Sequence, residues 1–149
     1  YDFLLGGNHN FEIDRQAAQQ VILVLPLIPQ LTRLVRWVLG EATRRLCNEG
    51  YNKFLDFASG LPTIDHIHQV APKGTKVIYS DIDPVTVQLG REIIGNEITG
   101  DYPKVKYLEC DCRKPEVLLE SNIVKDFFDK NQKIVIGLNG ILYFLTNVL

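Results

Sequence analysis

Three aspartates stand at equivalent places in the chain, each at or just past a short apolar run: Asp56, Asp81 and Asp111. Their immediate contexts are Asp56-Phe57-Ala58-Ser59-Gly60-Leu61, Asp81-Ile82-Asp83 and Asp111-Cys112, and a fourth run leads into Asn139-Gly140. Carboxylates gathered at one edge repel one another unless a cation or hydrogen-bond donors lie between them. Such a set can accept hydrogen bonds from hydroxyls and amines and can face a positive group. It is poorly suited to a pyrophosphate.

The elements that would position these residues alternate. Strands are expected at Phe54–Phe57, Lys76–Ser80, Val105–Glu109 and Ile134–Leu138, and helices near Pro62–Ala71, Pro84–Glu97 and Pro115–Lys130. Each helix opens on or beside a proline, whose fixed φ suits a first turn, and Asp83 can cap the second. Alternating strands and helices imply parallel strands joined by right-handed crossovers. The fold expected is therefore α/β, a doubly wound, mostly parallel sheet whose ligands bind outside the carboxyl ends of the strands. Ahead of it, a loop at Gly6-Gly7 leads to a helix capped by Asp14 and running to about Leu25, ended by Pro26 and Pro29. A second helix covers Leu31 to Asn48, its apolar positions Leu31, Leu34, Val35, Val38, Ala42 and Leu46 sharing one face. Residues 1–52 are expected to pack as an N-terminal helical extension on the α/β core of residues 53–149.

The 149 residues fit one domain. With 46% hydrophobic and 23% charged residues the chain is of ordinary globular composition. A net charge of −2 argues against a nucleic-acid or anionic-membrane binder. No apolar run reaches the roughly 18 residues of a membrane span. Cys47, Cys110 and Cys112 are an odd, sparse set, which favours a reducing cytosol over a disulfide framework. The chain starts at Tyr1 without Met and stops in an apolar stretch at Leu149. It is read as incomplete, with the sheet stopping after its fourth strand.

A dinucleotide loop needs G-x-G-x-x-G, and Ala58-Ser-Gly60-Leu-Pro-Thr63 supplies one of the three glycines while Asp56 opposes a pyrophosphate. A ligand with a cationic amino-acid end, a ribose and an adenine suits the three tips better. Asp56 would face the positive end, Asp81 the ribose hydroxyls and Asp111 the adenine amine. S-adenosylmethionine is that ligand.

These residues resemble the Rossmann-like (class I) S-adenosylmethionine-dependent methyltransferases. More narrowly, the chain resembles a bacterial family of uncharacterised S-adenosyl methyltransferases. The matching blocks are Tyr1-Asp-Phe-Leu-Leu-Gly-Gly7, Asn10-Phe11 with Asp14-Arg15, Asp56-Phe-Ala-Ser-Gly-Leu-Pro-Thr63 with His68, and Tyr79-Ser-Asp-Ile-Asp-Pro84. The resemblance implies methyl transfer from S-adenosylmethionine to an unidentified small-molecule acceptor. The candidate cofactor-binding residues are Asp56, Ala58, Ser59, Gly60, Leu61, Asp81, Ile82, Asp111, Cys112 and Asn139, with no metal. Two positions depart from the family pattern. Ala58 replaces the first loop glycine, and Leu142-Tyr143-Phe144 replaces Leu-His-Phe. They motivate the alternative of a domain that binds S-adenosylmethionine or S-adenosylhomocysteine without transferring a methyl group. No catalytic side chain is inferred, because an in-line displacement at an activated carbon needs alignment more than a base.

The remaining motifs have plainer readings. His66-x-His68 and Cys110-x-Cys112 lack the companion ligands of a zinc site. Arg33, Arg36, Arg44 and Arg45 read as a solvated helix face. Tyr1 to Asn10 reads either as a plain loop or as a segment folding over the cofactor, with Tyr1 or His9 towards the acceptor.

Overall fold

A computed structural model describes residues 1–97, 104–129 and 133–141. Its centre is a sheet of four parallel strands, β1 (Lys53–Phe57), β2 (Lys76–Asp81), β3 (Lys104–Glu109) and β4 (Val135–Gly137), in the order β3-β2-β1-β4. The chain moves outward from β1 through β2 to β3 and then returns to the far side of β1. That reversal puts a topological switch point between β1 and β4, where an open α/β sheet leaves a crevice.

Residues alternate between the two faces along each strand. Phe54, Val77, Tyr79 and Tyr107 pack on one face with Ile67, Val87 and Ile94, while Leu55, Phe57 and Ile78 pack on the other with Leu118, Val124 and Phe128. The first layer is supplied by α4 (Ile67–Val70) and α5 (Pro84–Glu97), the second by α6 (Glu116–Leu119) and α7 (Asn122–Phe128). Helices on both faces explain why β1 is buried along its whole length.

Ahead of the sheet lie α1 (Asp2–Leu5), α2 (Glu12–Val24) and α3 (Ile28–Asn48), with α3 against α1 and α4. Asp14 is not the cap of α2. Phe11 holds that position, and its backbone N–H donates to Asp14 Oδ2 at 2.9 Å from one turn inside. α3 starts at Ile28, so Pro29 sits in its first turn, where a missing N–H costs nothing.

Leu46 packs on the core and Arg33, Arg44 and Arg45 are exposed, as expected, but the rest of the buried face of α3 is not the expected one. Thr32, Arg36, Gly40 and Thr43 are buried, whereas Leu31, Leu34, Val35 and Val38 are exposed. Small residues allow close approach to α1 and α4, and the threonines enter without an orphaned hydroxyl. Thr32 Oγ1 donates to Ile28 O and Thr43 Oγ1 to Leu39 O, both at 2.8 Å. Periodicity reveals that a helix has two faces, but not which one its neighbours choose.

Two further expectations change. Pro62 is buried but opens no helix: the chain turns at Asp65, with φ +51°, and α4 begins only after His66. His66 caps α4 by accepting from the Ile67 N–H on its Nδ1 at 3.0 Å. The third crossover is split at Glu120-Ser121, where Ser121 Oγ accepts from the Val124 N–H and starts α7 afresh. Leu142-Tyr143-Phe144 lies outside the described residues, as does the Asp101-Tyr102-Pro103 connection. Among the described residues no single helix is long and apolar enough to cross a membrane; α2 and α3 pass that test only as a pair bent by 106°.

Candidate functional site

The crevice opens at the carboxyl ends of the strands, as the switch point requires. It encloses about 290 Å³ and is lined by Ala58, Gly60, Asp81, Ile82, Cys110, Asp111, Cys112, Arg113 and Ile141. Small-molecule pockets begin near ~300 Å³.

The loop after β1 is built from two left-handed residues flanking Ser59: Ala58 at φ +50° and Gly60 at φ +60°. Ser59 ties the loop to the sheet, its N–H donating to Ser80 O at 2.9 Å and its hydroxyl to Asp56 O at 2.7 Å. The Gly60 N–H donates to Asp81 Oδ2 at 3.1 Å, and the Tyr107 hydroxyl donates to Gly60 O at 2.6 Å. Both peptide groups of Gly60 are thus fixed by neighbouring strands. A methyl group at position 58 is accommodated most easily on negative φ. It sits instead in the region that favours glycine.

Asp81 ends β2 at the crevice wall. Each of its oxygens accepts one backbone N–H, Oδ2 from Gly60 and Oδ1 from Asp83 at 3.1 Å. Each keeps acceptor capacity for a hydroxyl. Ile82 presents an exposed apolar side chain beside it. Asp83 caps α5, accepting from the Val85 and Thr86 N–H groups, and the Thr86 hydroxyl beside it holds its carboxyl below the usual carboxylate range.

Asp111 also lines the crevice and is engaged by Arg113, whose Nη2 donates at 2.7 Å and whose Nε donates to both oxygens. That hydrogen bonding pulls its carboxyl down to about 2. Cys112 lines the crevice beside it, together with Cys110. Burial raises both thiols above their ordinary value.

Asp56 sits lower than its place at the strand tip suggested. It is only 2% exposed and does not line the crevice. Its Oδ1 accepts from Asn139 Nδ2 at 3.1 Å, and burial pushes its carboxyl up to about 6. It is paired with Gly137 across β1 and β4, and a Cβ on Gly137 would fall 2.2 Å from Oδ1. Glycine at 137 therefore makes the room that Asp56 occupies. Ser59, Leu61 and Asn139 also stand back from the crevice lining, Ser59 and Asn139 as its framework.

Sequence reading missed Arg113, Cys110 and Ile141 on the lining and Tyr107 beneath the loop. Arg113 carried a usable signal, because a basic residue two positions after a strand-tip aspartate can fold back onto it. Tyr107 carried none, since it occupies an ordinary inward strand position. The His66-x-His68 pair is buried against Tyr79: His66 lies edge-on to its ring at 4.4 Å, and the Tyr79 hydroxyl accepts from the His68 N–H and shares a second hydrogen bond with His68 Nδ1, both at 2.9 Å. Burial holds His66 neutral, well below its usual range. Among the described residues no group of three or more His, Cys, Asp or Glu side chains is arranged to hold a metal ion.

Comparison with known proteins gives this geometry a context. A family model described as S-adenosyl methyltransferase matches residues 1–148. A crystal structure of a DUF574 family protein from Streptomyces avermitilis MA-4680 superposes with a TM-score of 0.85 at 26% identity, covering 97% of this chain. The chain spans 56% of that protein's length. No curated protein matches it.

Proposed function

We propose, from the premise that the chain belongs to the S-adenosyl methyltransferase family, that the crevice binds S-adenosylmethionine and presents its methyl group to a small-molecule acceptor. The observation that carries the reading is Asp81. Its carboxylate lines the crevice at the end of β2, is fixed by two backbone donors, and retains the acceptor capacity a vicinal diol needs.

The donor set suits the cofactor in its other parts. Ile82 and Ile141 offer apolar contact for a flat base, and Asp111 can accept from an exocyclic amine while Arg113 keeps it ionised. Asp56 lies beneath, where a cationic group nearby would draw its carboxyl back towards the ionised form. When bound, the cofactor supplies a methyl group activated by its sulfonium. The protein's part is to hold that group rigidly and keep water away. The tethers on Gly60 and Ser59 give the loop after β1 that rigidity.

Titration calorimetry with S-adenosylmethionine, S-adenosylhomocysteine and NAD tests the binding step. The two sulfur compounds should bind and NAD should not; the reverse order would end the proposal. Release of S-adenosylhomocysteine in the presence of an acceptor separates a transferase from a domain that only binds.

A further inference from the structure

Arg36 was expected on a solvated helix face and is instead 6% exposed. Its Nε has no hydrogen-bond partner among the described residues. The guanidinium carbon stands 5.6 Å from the centroid of the Tyr1 ring, so α1, which packs on α3, closes one side of it. A cation taken out of water is costly, the more so with one of its donors unmet, and it persists in proteins where an anion completes it.

Its surroundings say which anion. The charge of Arg36 reaches Asp56, His66 and Tyr79. Asp56 and Tyr79 are register partners and share one sheet face, the face that α4 covers. Thr63, 5% exposed in the segment between Gly60 and His66, carries a second unpartnered polar atom, its Oγ1. Among the described residues the only other buried side-chain oxygen without a partner is Asp2 Oδ1, on α1; Asp56, at the end of β1, is the buried carboxylate that the Arg36 charge reaches. An ammonium beside a carboxylate, as on an α-amino acid, matches that arrangement with both charges answered.

We infer that Arg36, assisted by the Thr63 hydroxyl, is the anchor for the carboxylate of the cofactor's amino-acid end. The inference rests on the binding proposed above. A guanidinium suits the task better than an ammonium because its planar fork matches the two carboxylate oxygens. Tyr1 then has a defined duty: its ring holds Arg36 in position from the outside.

The test is a set of titrations with two probes, S-adenosylhomocysteine and its decarboxylated analogue, which keeps the amine and lacks the carboxylate. The unaltered protein should bind the first about 10- to 100-fold more tightly, the range expected for losing a charge-assisted hydrogen-bonded pair. Arg36→Gln should abolish that preference by weakening S-adenosylhomocysteine alone, and Arg36→Lys should retain part of it. Equal affinity of the unaltered protein for both probes overturns the inference without needing any variant to fold. So does Arg36→Gln weakening both probes alike, which would mark a structural role, or weakening neither. If the unaltered protein binds neither probe, the cofactor reading falls and the anchor with it; if only the preference is missing, the cofactor reading stands.

Discussion

Ala58 and Gly60 form a natural pair of opposites, because both hold left-handed backbone in one loop and only one of them is glycine. An L-residue in that region costs about 1–2 kcal/mol. Glycine loses more freedom on folding, about 0.5–1 kcal/mol against alanine. Ala58→Gly should therefore stabilise the protein by up to about 1 kcal/mol. Gly60→Ala is the mirror experiment. A Cβ built there meets nothing within 4 Å, so only the backbone cost is felt. It should destabilise by a similar amount. Equilibrium unfolding in urea at pH 7 reads both, with the slope unchanged and the midpoints moving in opposite directions. Because Ala58 lines the crevice, its replacement by glycine should also tighten rather than weaken S-adenosylhomocysteine binding. Midpoints that move the same way, or a lowered midpoint for Ala58→Gly, would refute the strain argument.

Asp56 makes a pH prediction. A carboxyl raised from 3.8 to about 6 by burial contributes stability that is fully present below pH 3.8 and lost as the pH climbs through about 6. Asp56→Asn removes that loss, so its stability relative to the unaltered protein should rise by as much as about 3 kcal/mol between pH 4 and pH 7.5; a difference that stays flat in urea titrations across that range would contradict it. Asp81→Ala should weaken S-adenosylhomocysteine by about 1.5–3 kcal/mol if it accepts from the ribose, and an unchanged affinity in calorimetry would place the ribose elsewhere. Gly90→Ala gains about 1 kcal/mol of helix propensity, but its Cβ falls 2.2 Å from Cε1 of the buried Tyr107 ring. Overpacking of about 1–3 kcal/mol should win, lowering the unfolding midpoint, and a midpoint that rises would mean the ring yields freely.

What could be read in advance followed from local physics. Apolar alternation located all four strands, and the alternation of strands with helices implied their parallel pairing. The Asp83 cap was legible because an Asx side chain next to a helix-starting proline has few other uses. What escaped depends on partners distant in the chain. The depth of Asp56 is set by Gly137, eighty-one residues later in sequence, which leaves space for a side chain that would otherwise turn outward. Pro62 carries a helix-start signal, but the loop spends four more residues reaching His66, because Ser59 and Gly60 are already committed to β2. The inward face of α3 was hidden for the same kind of reason: threonine and glycine score as indifferent on a hydrophobic scale, yet they are what close packing against α1 and α4 requires. Arg36 was misjudged with that face.

The exposed apolar positions of α3 leave the chain with an optical handle. Trp37, its single tryptophan, sits on the outward face at 59% exposure, among Leu34, Val35 and Val38. Its emission should be red and easily quenched by iodide while that face is bare. Whatever comes to lie across the face, whether chain, copy or partner, should shift the emission to the blue and shield it. Because Arg36 points inward from the neighbouring position, cofactor binding and surface covering can be followed separately in one sample, one by heat and the other by light.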